Sequence, residues 1–190
     1  MQAGLYVNLS GQIALERRLT TIANNVANAG TAGYRSEELK FDTMLSMASK
    51  APTAFSTTGD SFISEKSGGL NKTGNPLDIA VQGKGWLAIQ TPGGIAYTRD
   101  GRMQLLESGE LQTLNGYPIL DAGNAPILLD PAAGAPQIAH DGMITQGGRR
   151  IGAIGLFMLD LSNGYTRFEN SSVLPANGGA PTVAFASDGF

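Results

Sequence analysis

The spacing of apolar residues separates a helical N-terminal segment from the rest of the chain. Over residues 3–29, apolar side chains recur mostly at every third or fourth position, the period of an α-helix, and there is no proline. We predict one amphipathic helix of about six or seven turns. It should be closed by Gly30 and Gly33, since glycine readily adopts the left-handed conformation that ends a helix. Its apolar positions are Leu5, Leu9, Ile13, Leu19, Ile22, Ala23 and Val26.

This predicted helix needs a partner surface. Burial of a large apolar side chain is worth roughly 1.5–3 kcal/mol, whereas ordering the backbone costs roughly 1–2 kcal/mol for each residue. The apolar stripe alone cannot offset the ordering of so many residues. We therefore expect residues 1–30 to be mobile in the isolated monomer and to become helical on contact with another chain. The side chains expected to make that contact are Leu5, Leu9, Leu19, Ile22 and Val26.

Residues 36–75 show no clear periodicity and are predicted to form an extended connector. Apolar residues within 39–47 could make one or two helical turns. After Lys50 the segment is rich in Ser, Thr, Gly and Ala, which is typical of loops.

From about Leu77 the pattern changes to short apolar runs separated by turn residues. Asp-Gly and Asn-Gly pairs, the strongest short-range hairpin signals, stand at 100–101, 115–116, 141–142 and 163–164. We predict an antiparallel β unit over residues 77–161, with tight turns at Asn115-Gly116 and Asn163-Gly164. The runs are 77–81, 86–90, 95–98, 103–106, 117–120, 126–129 and 151–161, and the predicted core is Leu77, Ile79, Val81, Trp86, Ile89, Leu105, Ile119, Leu156 and Phe157.

Charge and composition exclude several classes of function. The formal net charge is −3, so the chain offers no basic field for the phosphates of a nucleic acid. It has no cysteine and a single histidine, which excludes disulfides, thiolate chemistry, iron–sulfur clusters and zinc sites with several histidine ligands. The 26 glycines are largely explained by the many turns.

Three short motifs have a possible chemical role, and each has a simpler interpretation. Asp141 directly follows His140, but a catalytic triad needs an acid that orients the histidine from elsewhere in the fold. Residues 83–85, Gly-Lys-Gly, lack the spacing and the helix of a phosphate-binding loop. Residues 147–150, Gly-Gly-Arg-Arg, are typical of a solvated strand end. We expect no catalytic site, metal, cofactor or small-molecule substrate.

Three asparagines lie close together at the end of the predicted helix. Asn24, Asn25 and Asn28 fall within one apolar turn and a half, although asparagine is a poor helix former. Their amides would be tolerated if they bonded a neighbouring chain, as buried asparagines do in helix bundles. Alternatively, they cap and fray the helix end. The residues alone leave both interpretations open.

Two sequence blocks together resemble a known family. Residues 23–28, Ala-Asn-Asn-Val-Ala-Asn, followed by Thr31-Ala-Gly-Tyr-Arg35, look like the N-terminal signature of bacterial flagellar rod and hook proteins. A second block, residues 74–90 followed by Tyr97-Thr-Arg-Asp-Gly-Arg102, is similar to the start of the β domain that these proteins share. The resemblance covers residues 1–130. Within the family, Gly85-Trp-Leu-Ala88 is most similar to proximal rod proteins, whereas hook and distal rod proteins more often carry Phe-Phe there.

The resemblance implies a mainly β fold with an N-terminal amphipathic helix followed by an antiparallel β domain. The implied function is that of a structural, non-enzymatic subunit of the rod that spans the periplasm in the flagellar basal body. Its implied partners are copies of itself, other rod proteins and the flagellar type III export apparatus.

The implied organisation is an assembly helix and signature turn over 1–35, a connector over 36–75 and a β domain over 76–190. The residues expected at the assembly interface are Leu5, Leu9, Leu19, Ile22, Asn24, Asn25, Val26, Asn28, Gly33 and Tyr34.

Two alternatives stay open, namely a hook or distal rod protein of the same family and a secreted β-domain enzyme or ligand-binding module. The second would need a pocket with convergent polar groups. Family members also end in a second amphipathic helix that pairs with the first. No such pattern precedes Phe190, so we expect this sequence to be shorter than the whole protein or to lack that helix.

Overall fold

The computed structural model describes residues 2–46, 53–176 and 181–183. Within them, one helix, α1 (Gln2–Ala27), is followed by antiparallel strands, which confirms the predicted fold class. Contacts divide the chain into two compact units, one of Met1–Gly30 with Arg35–Ser64 and one of Thr31–Tyr34 with Glu65–Phe190. The strands are β1 (Glu37–Ser46), β2 (Thr53–Ile63), β3 (Trp86–Thr91), β4 (Gly94–Thr98), β5 (Met103–Leu105), β6 (Leu111–Thr113), β7 (Gln137–Ile138), β8 (Met143–Gln146), β9 (Arg149–Ala153), β10 (Leu156–Met158), β11 (Tyr165–Phe168), β12 (Ser172–Pro175) and β13 (Thr182–Val183).

In the first unit, α1 packs on an antiparallel hairpin formed by β1 and β2. The prediction of helical turns within residues 39–47 is therefore wrong, and much of the predicted connector is a paired ribbon. The register runs from Glu37 opposite Ile63 to Ser46 opposite Thr53. These partners are distant in sequence, so a search for local periodicity does not detect them. Threonine and phenylalanine, which favour strands, recur along β2.

The face of α1 that packs on this hairpin is not the predicted apolar stripe. It consists of small, polar or β-branched residues at helical spacing, and Ala14 is its most buried member. The buried and half-buried positions of α1 are Val7, Ser10, Gly11, Ala14, Thr21 and Asn25, and the half-buried Asn28 follows the helix.

The helix ends earlier than predicted. Its last residue is Ala27, and the amide of Asn28 still donates to the carbonyl of Asn24 at 3.1 Å. Of the two glycines expected to close the helix, Gly33 is left-handed with φ of +71° and Gly30 is not. Gly33 thus shapes the loop after the helix rather than the helix terminus.

The second unit is built from antiparallel sheets around one apolar core. Its largest sheet has the order β11-β12-β4-β3-β10-β13, and β7-β8-β9 and β5-β6 form smaller ones. The predicted core residues Trp86, Ile89, Ile119, Leu156 and Phe157 are buried, as expected. The other predicted core residues, Leu77, Ile79, Val81 and Leu105, are partly buried and pack against that core.

The predicted tight turns at Asn115-Gly116 and Asn163-Gly164 are both confirmed. The amide of Gly116 donates to the carbonyl of Thr113 at 3.0 Å, and that of Gly164 to the carbonyl of Leu161 at 3.1 Å. The pair at 100–101, however, does not close a hairpin, because β4 and β5 belong to different sheets. Residues 77–81, predicted as a strand, follow an irregular path.

Candidate assembly interface

The large apolar side chains of α1 lie on its surface. They are between 46% and 70% exposed, although most residues of these types are buried in the second unit. With 3.6 residues per turn, they fall into two ridges rather than one stripe. The first ridge is Leu5, Tyr6, Leu9 and Ile13, and the second ridge is Leu15, Leu19, Ile22 and Val26.

The two ridges and the hairpin contact occupy three different sides of α1. At 100° per residue, neighbouring sides are centred about 120° apart around the helix axis. The first ridge lies in the N-terminal half of the helix and the second in the C-terminal half. The predicted stripe combined members of both ridges. One side of α1 is thus used within the chain, and two apolar sides face outward.

Asn25 bonds to the backbone of a strand in its own chain. Its Nδ2 donates to the carbonyl of Glu37 at 2.9 Å, and its Oδ1 accepts from the amide of Glu37 at 2.9 Å. The amide of Ser64 donates to the carbonyl of Ser36 at 2.8 Å. In the alternating antiparallel pattern, the polar groups of Glu37 therefore point away from β2. The side-chain amide of Asn25 takes the place of a neighbouring strand at this edge.

The other two asparagines have different surroundings. Nδ2 of Asn28 donates to the carbonyl of Asn24 at 2.9 Å. This bond agrees with the interpretation in which the asparagine caps the end of the helix. Asn24 has an exposed side chain beside a groove between α1 and the hairpin. The groove has a volume of about 520 Å³ and adjoins the first ridge at Ile13. Its walls also carry Glu16, Arg17, Thr20, Thr21, Glu37, Leu39 and Ser61.

The loop at Thr31–Tyr34 contacts the β domain and belongs to the second unit. The backbone of Gly33 lies so close to that of residues 99–100 that a Cβ on it would be 2.1 Å from the amide nitrogen of Asp100. The guanidinium of Arg167 lies 4.8 Å from the ring centroid of Tyr34. The two blocks that carry the family resemblance thus meet in the structure, although they are far apart in the sequence.

The β-domain side of this contact is held by several interactions. The guanidinium of Arg99 donates to the carbonyl of Gly83 at 2.5 Å and lies 5.4 Å from the ring centroid of Trp86. Asp100 forms a two-pronged ion pair with Arg102, with distances of 2.9 and 2.6 Å, and this bond raises the pKa of the arginine. These contacts use the side chains of Trp86, Arg99, Asp100 and Arg102 from the second block.

The candidate catalytic residues do not come together. His140 is exposed in the turn between β7 and β8, and the carboxylate of Asp141 accepts the amide of Met143 at 3.0 Å. Lys84 pairs with Glu65 at 2.8 Å, and residues 149–150 are exposed on β9. Within the described residues, no three His, Asp or Glu side chains are close enough to hold a metal ion.

The carboxyl and phenol groups with shifted pKa values lie on different segments of the β domain, and burial raises the pKa of one of them, Tyr97 on β4. Hydrogen bonds from Ser162 hold the pKa of Asp160 below its ordinary value. The hydroxyl of Tyr117 donates to Glu169 at 2.8 Å, which raises the pKa of the tyrosine. In the described part of the chain, α1 is not apolar enough over the required length to cross a membrane.

Comparisons with known proteins place the chain in a family. Residues 5–35 match the family described as flagella basal body rod protein, and residues 80–146 match the D1 domain of flagellar hook proteins FlgE/F/G. The flagellar basal-body rod protein FlgF of Rhizobium meliloti is 49% identical over 96% of this chain and 76% of its own length. FlgF of Mesorhizobium japonicum is 47% identical over 96% of this chain and 76% of its own length. FlgF of Caulobacter vibrioides is 38% identical over 84% of this chain and 67% of its own length. The chain therefore belongs to the family of flagellar basal-body rod proteins.

Proposed function

We propose that this chain is a building block of the proximal part of the flagellar rod, joined to neighbouring subunits through the two ridges of α1. The relatives that match it over most of its length are named flagellar basal-body rod protein FlgF. The observation that carries the proposal is the exposure of both ridges while a third side of the helix is already packed on the hairpin.

The energetics favour association through these ridges. Burial of a large apolar side chain is worth roughly 1.5–3 kcal/mol. Each ridge side chain is still about half or more exposed, so much of this free energy is gained only when another surface covers it. Contiguous exposed apolar surface of this kind is typical of protein interaction sites.

The placement of the ridges suggests two neighbours rather than one. A single straight helix cannot cover surfaces that lie about 120° apart on α1. If a different neighbour covers each ridge, the contacts are heterologous. Heterologous contacts that do not close into a ring produce an open helical filament, which is the geometry required of a rod.

The proposed role is one of packing, without catalysis or a cofactor. The proposed partners are copies of this chain and other rod proteins, with the export apparatus before assembly. Asn24 has an exposed side chain beside the groove that adjoins the first ridge, and we propose that it takes part in these contacts. Asn25 and Asn28 support the interface indirectly, since their amides bond within the chain.

The test places charge on each ridge separately. We expect Leu19→Asp with Ile22→Asp, on the second ridge, to abolish incorporation into the rod and swimming. Leu9→Asp with Ile13→Asp, on the first ridge, should do the same. The β domain of each purified variant should unfold at the wild-type temperature, because the substituted side chains lie outside its core.

Gln12→Asp is the matched control, since it adds a charge and a poor helix former at an exposed polar position between the ridges. It should assemble normally. Normal swimming with either double substitution would refute the role of that ridge, and normal swimming with both would refute the proposal. Co-purification of the intact protein with other rod subunits would identify the neighbours.

A further inference from the structure

We infer that the loop Thr31–Tyr34 is a latch that holds the connection between α1 and β1 on the β domain. The contacts of the latch do not depend on the proposed function. Only its consequence, the transfer of load from the assembly helix to the β domain, rests on the proposed function. The latch gives Gly33 and Tyr34 a positioning role in place of the predicted direct contact with neighbouring subunits.

Gly33 is required by both conformation and space. Its φ of +71° lies in the left-handed region, which is unfavourable for residues with a Cβ. A Cβ at this position would also lie 2.1 Å from the amide nitrogen of Asp100 and 2.4 Å from the carbonyl carbon of Arg99. Both obstacles are backbone atoms, so they cannot move aside as the end of a flexible side chain can.

The surface that receives Gly33 is itself fixed. The amide of Asp100 donates to Oγ1 of Thr98 at 3.0 Å, and its carboxylate is bonded by Arg102. On the next residue, the carbonyl of Gly101 accepts from the amide of Ile79 at 3.0 Å. A Cβ on Gly101 would lie 2.1 Å from the carbonyl oxygen of Ile79, so this segment is packed tightly on its other side as well.

Tyr34 supplies a second, independent contact of the latch. Its ring lies 4.8 Å from the guanidinium carbon of Arg167 on β11, within the range of a cation–π interaction. Its amide donates to the carbonyl of Thr31 at 3.2 Å, which closes the loop on itself. The glycine and the tyrosine therefore contact different parts of the β domain.

The loop is also closed at its base. The paired hydrogen bonds between Asn25 and Glu37 hold together the two chain segments that enter and leave it. With its base closed and its tip seated, the loop cannot extend freely. A force on α1 then reaches the β domain through the loop as well as through the covalent connection after Ser64.

Tryptic cleavage after Arg35 measures whether the latch is closed. This arginine directly follows the latch and is 9% exposed, so cleavage requires local opening. In the purified protein, Gly33→Ala should speed this cleavage about tenfold or more. The left-handed conformation is unfavourable for alanine, and its free-energy cost alone raises the population of the open loop by about that factor. Mass spectrometry of all fragments that end at Arg35 gives the rate, because trypsin also cleaves after the exposed Arg17 and Arg18.

Gly30→Ala is the matched control, since Gly30 is in the same signature but has no left-handed φ and no atom within 4 Å of an added Cβ. It should be cleaved at the wild-type rate. Tyr34→Leu, which removes the ring, should also speed cleavage. This variant keeps the latch testable if Gly33→Ala disturbs the β domain.

Wild-type cleavage rates in both Gly33→Ala and Tyr34→Leu would overturn the latch, as would equal rates in Gly33→Ala and Gly30→Ala. These outcomes are independent of the proposed function, which fails only if the ridge variants swim. If both hold, Gly33→Ala cells should incorporate the subunit but swim less well than Gly30→Ala cells.

Discussion

On β3, the side chains of Leu87 and Ile89 are almost fully buried, whereas on α1 the side chains of Leu19 and Val26 are about two-thirds exposed. The residues are of the same chemical kind, so the difference lies in what surrounds them. The second unit covers its apolar residues with its own sheets. The helix uses its small and polar side within the chain and leaves its apolar sides exposed. Apolar residues in the first case determine folding, and in the second we propose that they determine association.

The largest expected contrast is in amide exchange of the isolated protein. We expect amides of α1 to exchange about a thousandfold or more faster than those of β3, since core amides open only with global unfolding. The hairpin gives α1 one intramolecular contact, and coupled folding of residues 1–30 stays a prediction. Hydrogen exchange followed by mass spectrometry measures both regions in one sample. Equal protection of α1 and β3 would contradict coupled folding.

The next contrast compares one truncation in each region. Phe157→Ala should lower the free energy of unfolding of the β domain by about 3–5 kcal/mol, because this ring is buried and packs edge to face on Tyr97 at 5.7 Å. Leu19→Ala should change it by less than about 0.5 kcal/mol, as is usual for exposed positions. Denaturant unfolding measures both. A large loss with Leu19→Ala would mean that this side chain serves the fold.

The smallest contrast concerns the asparagines. Asn25→Ala removes two hydrogen bonds to Glu37, and we expect local stability to fall by about 1 kcal/mol. The exchange of the Glu37 amide should then become about fivefold faster. Asn28→Ala, which removes the side-chain bond to the carbonyl of Asn24, should leave that amide unchanged. The same acceleration in both variants would point to general fraying of the helix rather than to loss of the strand contact.

Local signals predicted those parts of the fold that short stretches determine. The turn at Asn115-Gly116 and the presence of a long helix follow from a few adjacent residues. The hairpin was missed because Glu37 pairs with Ile63, and nothing close to either residue indicates the other. The sequence likewise indicated a left-handed conformation for Gly33 but could not show that residues 99–100 lie against it.

The candidate interface shows the same limit. Helical periodicity predicted apolar contact residues such as Leu9 and Val26, and their exposure agrees with that role without testing it. The division into two ridges was overlooked, although the spacing of the residues contains it. The spacing of residues could not reveal which side of α1 packs on the hairpin, because the small and polar residues on that side are also typical of a solvated face.

The bond between Asn25 and Glu37 also bears on aggregation. An open strand edge is a template on which another chain can add a strand, and proteins commonly block such edges. At the start of β1 the donor and acceptor that would receive a foreign strand are both taken by one side-chain amide. This part of the ribbon is thereby closed to pairing with a strand of another chain.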